Sequence, residues 1–215
     1  MSSEKRSRLW VAVAVVVASV PAGVAFARTG SSAATFDASV LPGPEGPPIE
    51  NGTELAPAGA PAPGGSVDGI HCQGSEQVLF HIHARLTIFV DGRSRRVPYG
   101  IGIAPPRRVA GTPRGAFVVG GTCFAWLHTH AADGIVHIES PVQRTFTLGN
   151  FFDVWKQPLG ATRVGPANGT VTALVDGKVW HGNPRSIPMH AHAQIQLDVG
   201  RPFVGPVHIS NWYGL

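Results

Sequence analysis

The chain has 215 residues with 27 glycines, 19 prolines and only 14 % charged residues. That composition argues against a helical bundle and for a β-rich, loop-rich domain accompanied by disordered sequence. The formal charge is +4, half of it carried before residue 28. No basic run interleaves with aromatics, so a nucleic-acid partner is unsupported, and the arginines at 93–96 and 107–108 read as solvated hairpin and loop residues.

The chain opens with a cationic stretch (Lys5, Arg6, Arg8), an apolar run from Leu9 to Val20, Pro21, and Ala25-Phe26-Ala27. A positive flank, an apolar core and an A-x-A site describe a signal peptide cut after Ala27. The same segment, residues 9–27, also fits an uncleaved N-terminal membrane anchor, since roughly 20 helical residues span a bilayer. Both readings place residues 28–215 outside the cytoplasm, secreted or held at the outer face of the cell membrane. Membrane contact is expected only through residues 9–27, and only if they stay uncleaved. No cysteine follows the apolar run, which excludes a lipoprotein anchor.

Residues 28–68 carry seven prolines, seven glycines, one aromatic (Phe36) and no histidine. Such a segment buries too little apolar surface to offset its ordering entropy, so a disordered linker is expected. The folded domain is expected over 69–215, where all ten histidines and both cysteines lie.

Period-two alternation over Gln77 to Val90 puts Phe80, Ile82, Ala84, Leu86 and Ile88 on one face of a strand and His81, His83, Arg85 and Thr87 on the other. Asp91-Gly92 signals a hairpin returning over Arg93 to Val97. Residues 98–115 read as loop with a short strand at most, and Ala116 to Val119 as a strand. Cys123 to His130 is the next strand, followed by a turn at Ala131–Gly134 and a return over Ile135 to Glu139. Arg144 to Leu148 reads as strand. Leu148 to Trp155 is the one convincing helix, a packing helix with an apolar stripe of Phe151, Phe152 and Trp155. Thr170 to Val175 and Lys178 to His181 form a hairpin around Asp176-Gly177. Met189 to Val199 alternates again, with Gln194 and Gln196 on a wet face, and Phe203 to Ile209 is a last strand. Many short strands with tight turns and one short helix predict a mainly β fold, an antiparallel β-sandwich or barrel.

Six potential ligands crowd into residues 123–139: Cys123, His128, His130, Asp133, His137 and Glu139. Two histidines at i and i+2 of a strand point the same way, so a His-x-His pair can converge on one ion. Imidazole suits zinc, copper, iron and nickel. The expected ligands are therefore His81, His83, His128, His130 and His137, around a transition metal taken as copper or zinc. Asp133 and Glu139 are oxygen ligands or acceptors that orient an imidazole. Whether His190 and His192 join is left open; His71, His181 and His208 are isolated and read as structural. Cys72 and Cys123 are an even pair in an exported domain and predict a disulfide closing a loop of about 50 residues. Cys123 points to the strand face opposite His128 and no methionine follows, which argues against blue copper. His128-Thr129-His130 is followed by Asp133 one residue late and without the next histidine, which argues against a metallo-β-lactamase-type hydrolase. No nucleophile elbow and no phosphate-binding glycine loop is present.

The runs HIHARLTIFVDG, LHTHAADGIVHIESP, RTFTLGNFFDVW and HAHAQIQLDVG together resemble a family of uncharacterised exported proteins of bacteria and archaea, over most of residues 78–199. The resemblance implies a domain boundary and carries no activity. The sequence thus supports an exported metal-binding β domain. Two alternatives stand beside it. One is a metal-dependent hydrolase or oxidoreductase using a three-His site with Glu139 or Asp133 as general base. The other is an extracytoplasmic interaction domain with no metal. The sequence identifies no protein partner.

Overall fold

The computed structural model describes residues 42–215. The leader or anchor over 1–27 and the first part of the linker, 28–41, lie outside the described residues. Among the described residues no helix is long and apolar enough to cross a membrane.

The fold is mainly β, with sheets packing together and one α-helix among the described residues. Seven strands make the principal sheet: β1 (Phe80–Val90), β2 (Arg93–Arg95), β3 (Leu127–His128), β4 (Ile135–Ser140), β5 (Val171–Val175), β6 (Lys178–Val179) and β7 (Gln194–Val199). Their order is β6-β5-β7-β1-β4-β3, with β2 folded back on β1. Both Asx-Gly hairpins form as the turn chemistry requires: Asp91 and Asp176 take positive φ, as do Gly92 and Gly177. Within this sheet, one pair departs from the antiparallel pairing expected. β7 runs parallel to β1, with Gln194 beside Arg85 and Val199 beside Val90. The α-helix, α1 (Leu148–Trp155), lies in the long connection from β4 to β5.

The two faces of β1 have different fates. Ala84, Leu86 and Ile88 join Leu127, Val136, Ile138 and the buried α1 side chains Phe151, Phe152 and Trp155 in the main core. α1 starts at a capping box between Thr147 and Asn150 and stops at Lys156 in the left-handed region. Each fully buried large side chain of α1 contributes about 1.5–3 kcal/mol of transfer free energy. This is the packing helix expected from the stripe.

On the other face of β1, His83, Arg85 and Thr87 are buried and His81 is exposed. Glu45 and Glu50 of the segment 42–56 reach His137 and Arg85 on this side, while Leu55 and Ala56 join the main core. Leu55 N–H donates to Arg96, and Arg96 N–H to Thr53. Glu50 pairs with Arg85 at 2.9 Å, where Arg85 is 2 % exposed. The structure therefore departs from the expected 28–68 linker over its second half. Composition assumes that a segment must build its own core; this one completes the hydrogen bonds and ion pairs of a core already present.

Three further strands depart from expectation. Cys123–His130 is broken at Trp126: Phe124–Ala125 pairs with Ile70–Gln73 in a separate small sheet, and only β3 joins β4. Arg144–Leu148 forms no strand beyond a bridge from Thr147 to Pro188. Residues 203–209 form no strand. They are held by side chains instead, with Val207 N–H donating to Gln196 and Ile209 N–H to Gln194. The face carrying Gln194 and Gln196 is accordingly covered, with Gln196 and Asp198 buried. The short strand allowed for in 98–115 is Arg108–Thr112, paired with Gly115–Gly120. Cys72 and Cys123 form the disulfide.

Candidate metal centre

Register places the site. β1 and β4 pair antiparallel with His81 opposite Glu139 and His83 opposite His137; β3 pairs with β4 so that His128 also faces His137. Directly opposed residues share a face. Three strands thus deliver four imidazoles and one carboxylate to one side of the sheet, and His130 joins them from the bend just after β3. His128, His130, His137 and Glu139 are all buried, and each offers a ligand atom within 4.8 Å of the others; His81, His83 and His137 form a second such group. The first group is positioned to bind a metal ion.

His128 is fully buried, with Nδ1 2.9 Å from the carbonyl of Ala125. His130 Nδ1 is 2.6 Å from the carbonyl of Val118. A carbonyl oxygen only accepts, so both rings carry their proton on Nδ1 and present an Nε2 lone pair. Those two Nε2 atoms stand 3.1 Å apart. Phe117 stacks on His130 and Phe124 meets His128 edge-on, which fixes both rings. Gly102 makes room for this: at φ +74°, a Cβ there would sit 2.2 Å from the Leu127 carbonyl and 2.9 Å from His128 Cβ.

His137 stands between two carboxylates. Its Nδ1 is 3.1 Å from Glu139 Oε1 and 3.2 Å from His83 Nε2; its Nε2 is 2.5 Å from Glu45 Oε1. Glu139 Oε1 is also 3.1 Å from His81 Nε2, and Oε2 lies 3.9 Å from His128 Nε2. Glu139 Oε2 and Glu45 Oε2 are buried oxygens without a hydrogen-bond partner among the described residues. Glu76 approaches from the more exposed side, 3.3 Å from His130 Nε2.

The electrostatics follow from burial and neighbours. Burial, with His137 and His81 adding repulsion, lowers His83 to about 3. Burial also lowers His128, well below the ordinary range, and His130, with neighbouring imidazoles adding to it. Burial works against charge on His137 too, but its hydrogen bonds to Glu139 and Glu45 outweigh that and raise it to about 9. Asp133 is pushed up to about 7, by burial first and by Glu45 second.

The structure brings together all five predicted histidines. Glu139 sits among them, not behind them as a supporting acceptor alone. Asp133 has a different position: its carboxylate accepts from the backbone N–H of Ile135 and Glu45, both at 3.3 Å, and so holds the covering segment. His192 hydrogen-bonds the Leu215 carbonyl and stacks on Trp212; His190 pairs with Asp176 and lines a surface groove with Phe80 and Met189. Neither belongs to the two groups. Sequence reasoning missed Glu45, Glu50 and Glu76. Glu45 sits in Pro44-Glu45-Gly46-Pro47-Pro48, which reads as linker, and only the register of an ordered segment on the sheet brings it to His137. Comparison with known proteins finds no matching family model, no matching curated protein and no matching solved structure.

Proposed function

We propose that this chain is an exported metal-binding domain that holds copper or zinc on the His128–His130 pair, with Glu139 and His137 at its side. The carrying observation is the facing Nε2 pair. Both Nδ1 protons are committed to carbonyl oxygens, so two lone pairs point at each other across 3.1 Å. No donor lies between them, and a cation resolves the repulsion. Nitrogen and oxygen donors bound at about 2.0–2.1 Å in a tetrahedron sit about 3.3–3.4 Å apart, close to the spacing found. The backbone carbonyls then act as the outer partners that orient ligating imidazoles. Imidazole with carboxylate is a donor set for copper or zinc and not for calcium or magnesium. The disulfide fits an oxidising compartment and so supports export. Burial of these donors favours retention of an ion over turnover at an open coordination position.

The test is elemental analysis of the full chain purified without a polyhistidine tag and dialysed against copper or zinc. About one or more ions per chain is expected, lost when His128 and His130 are both replaced by alanine in protein that keeps its circular dichroism spectrum and disulfide. No bound ion, or metal content indifferent to that double replacement, overturns the reading.

A further inference from the structure

We propose that the centre holds two ions bridged by Glu139, which rests on and extends the metal reading above. The second position is drawn by a closed ring of four contacts on the β1 side of the sheet. His81 Nε2 to His83 Nε2 is 3.1 Å, His83 Nε2 to His137 Nδ1 is 3.2 Å, His137 Nδ1 to Glu139 Oε1 is 3.1 Å, and Glu139 Oε1 to His81 Nε2 is 3.1 Å. Donors around an ion with bonds of about 2.0–2.1 Å are spaced about 2.9 Å in a square and about 3.3 Å in a tetrahedron. All four edges fall in that range. A chain of ordinary hydrogen bonds has no need to close on itself, and this one closes with three imidazoles and a carboxylate oxygen.

Glu139 joins this ring to the first position. Its Oε1 belongs to the ring, while its Oε2 is turned toward His128, buried and without a hydrogen-bond partner among the described residues. One carboxylate therefore presents a separate oxygen to each group. Carboxylate-bridged pairs in two-metal sites stand about 3.5–4 Å apart, a separation that two oxygens of one group span. The first ion takes His128 Nε2, His130 Nε2 and Glu139 Oε2; the second takes His81 Nε2, His83 Nε2, His137 Nδ1 and Glu139 Oε1. His137, which stands in both candidate groups, is the ligand whose allegiance changes when the second ion enters. The two positions differ in access. The first is enclosed, whereas His81 has 39 % of its side chain exposed, so the second ion enters and leaves from solvent.

The experiment is a titration of the metal-free full chain with Cu(II), followed by metal analysis and electron paramagnetic resonance, on wild type, on His81→Ala/His83→Ala and on the milder His81→Gln. Wild type is expected to take up about two ions per chain, with the signal of an isolated copper at about one equivalent replaced by a coupled or diminished signal at about two. The His81→Ala/His83→Ala chain is expected to stop at about one ion and to keep the isolated signal throughout. His81→Gln, at a half-exposed position, is expected to weaken only the second uptake, which separates ligand loss from misfolding. Saturation of wild type at about one ion, unaltered in the His81 and His83 variants, overturns the paired centre while leaving the single site standing. No uptake at all overturns both.

Discussion

Replacing Glu50 by alanine tests whether residues 42–56 are part of the folded domain. Glu50 is a hydrogen-bonded partner of Arg85 at 2.9 Å, and Arg85 is 2 % exposed in the centre of β1. Removing one member of a buried ion pair costs about 3–5 kcal/mol, because the remaining charge keeps its desolvation penalty. Asp133 also attracts Arg85, which places the expected loss near the lower figure, about 3 kcal/mol. For a domain of this size about 1 kcal/mol moves the melting temperature by roughly 2–4 °C, so Glu50→Ala should melt about 6–12 °C lower. The assay is thermal and urea unfolding of the metal-free protein followed by circular dichroism, with Glu54→Ala as the control, an exposed acid in the same segment. A Glu50→Ala midpoint within about 2 °C of wild type would refute the reasoning, because the Glu50–Arg85 pair would then contribute nothing to the fold that carries the site.

Metal should stabilise the chain by mass action: at a free concentration about 100 times Kd the gain is about 2.7 kcal/mol, or roughly 5–11 °C in melting temperature. A thermal shift series with copper, zinc and magnesium reads this, and a shift with magnesium equal to that with zinc would contradict the donor set. Acidification should unfold the metal-free protein early. His83, lowered to about 3, and His128 and His130, also lowered, stay neutral in the fold while the unfolded chain protonates near 6.5. Their contribution is present above that value and lost as pH falls below it. Asp133, raised to about 7, has the opposite sign and cancels one of the three. Glu50 and Asp198, also raised by burial, oppose the histidines in the same way, and the three histidines still set the direction, a loss of stability as pH falls below 6.5. His137, raised to about 9, adds stability that is full below 6.5 and disappears as pH rises through 9, so urea midpoints should peak near neutrality. A monotonic rise from pH 5 to 10 would contradict this. Reducing the Cys72–Cys123 bond, which spans 51 residues, should cost about 4 kcal/mol in the chain-entropy model; equal melting with and without reductant would count against it.

Much of the β architecture is legible in the chain because its causes are local. Alternation sets the two faces of β1, Asp-Gly pairs set two hairpins, and the stripe over 148–155 sets the packing helix. The His-x-His pairs are legible for the same reason, since residues two apart on a strand share a side whatever the strand packs against. The break at Trp126 is invisible to alternation, because both halves of 123–130 keep their period while pairing with different sheets. Residues 203–209 mislead in the opposite way: their alternation is real, but side-chain amides of Gln194 and Gln196 replace the ladder.

The sequence by itself determined the candidate ligand types, the fold class and the pairing of the only two cysteines, since each depends on composition, short spacings or elimination. Tertiary structure alone decided which side chains meet. The register of β1 on β4 and of β4 on β3 converts three separate His-bearing segments into one cluster, and a one-residue slip would turn the shifted histidines to the other face. It also decided that Glu139 stands between the two groups and that Glu45 reaches His137, and Glu50 Arg85, from a proline-rich segment. Contacts between residues far apart in sequence carry no local signature, so they exist only once the sheet is assembled.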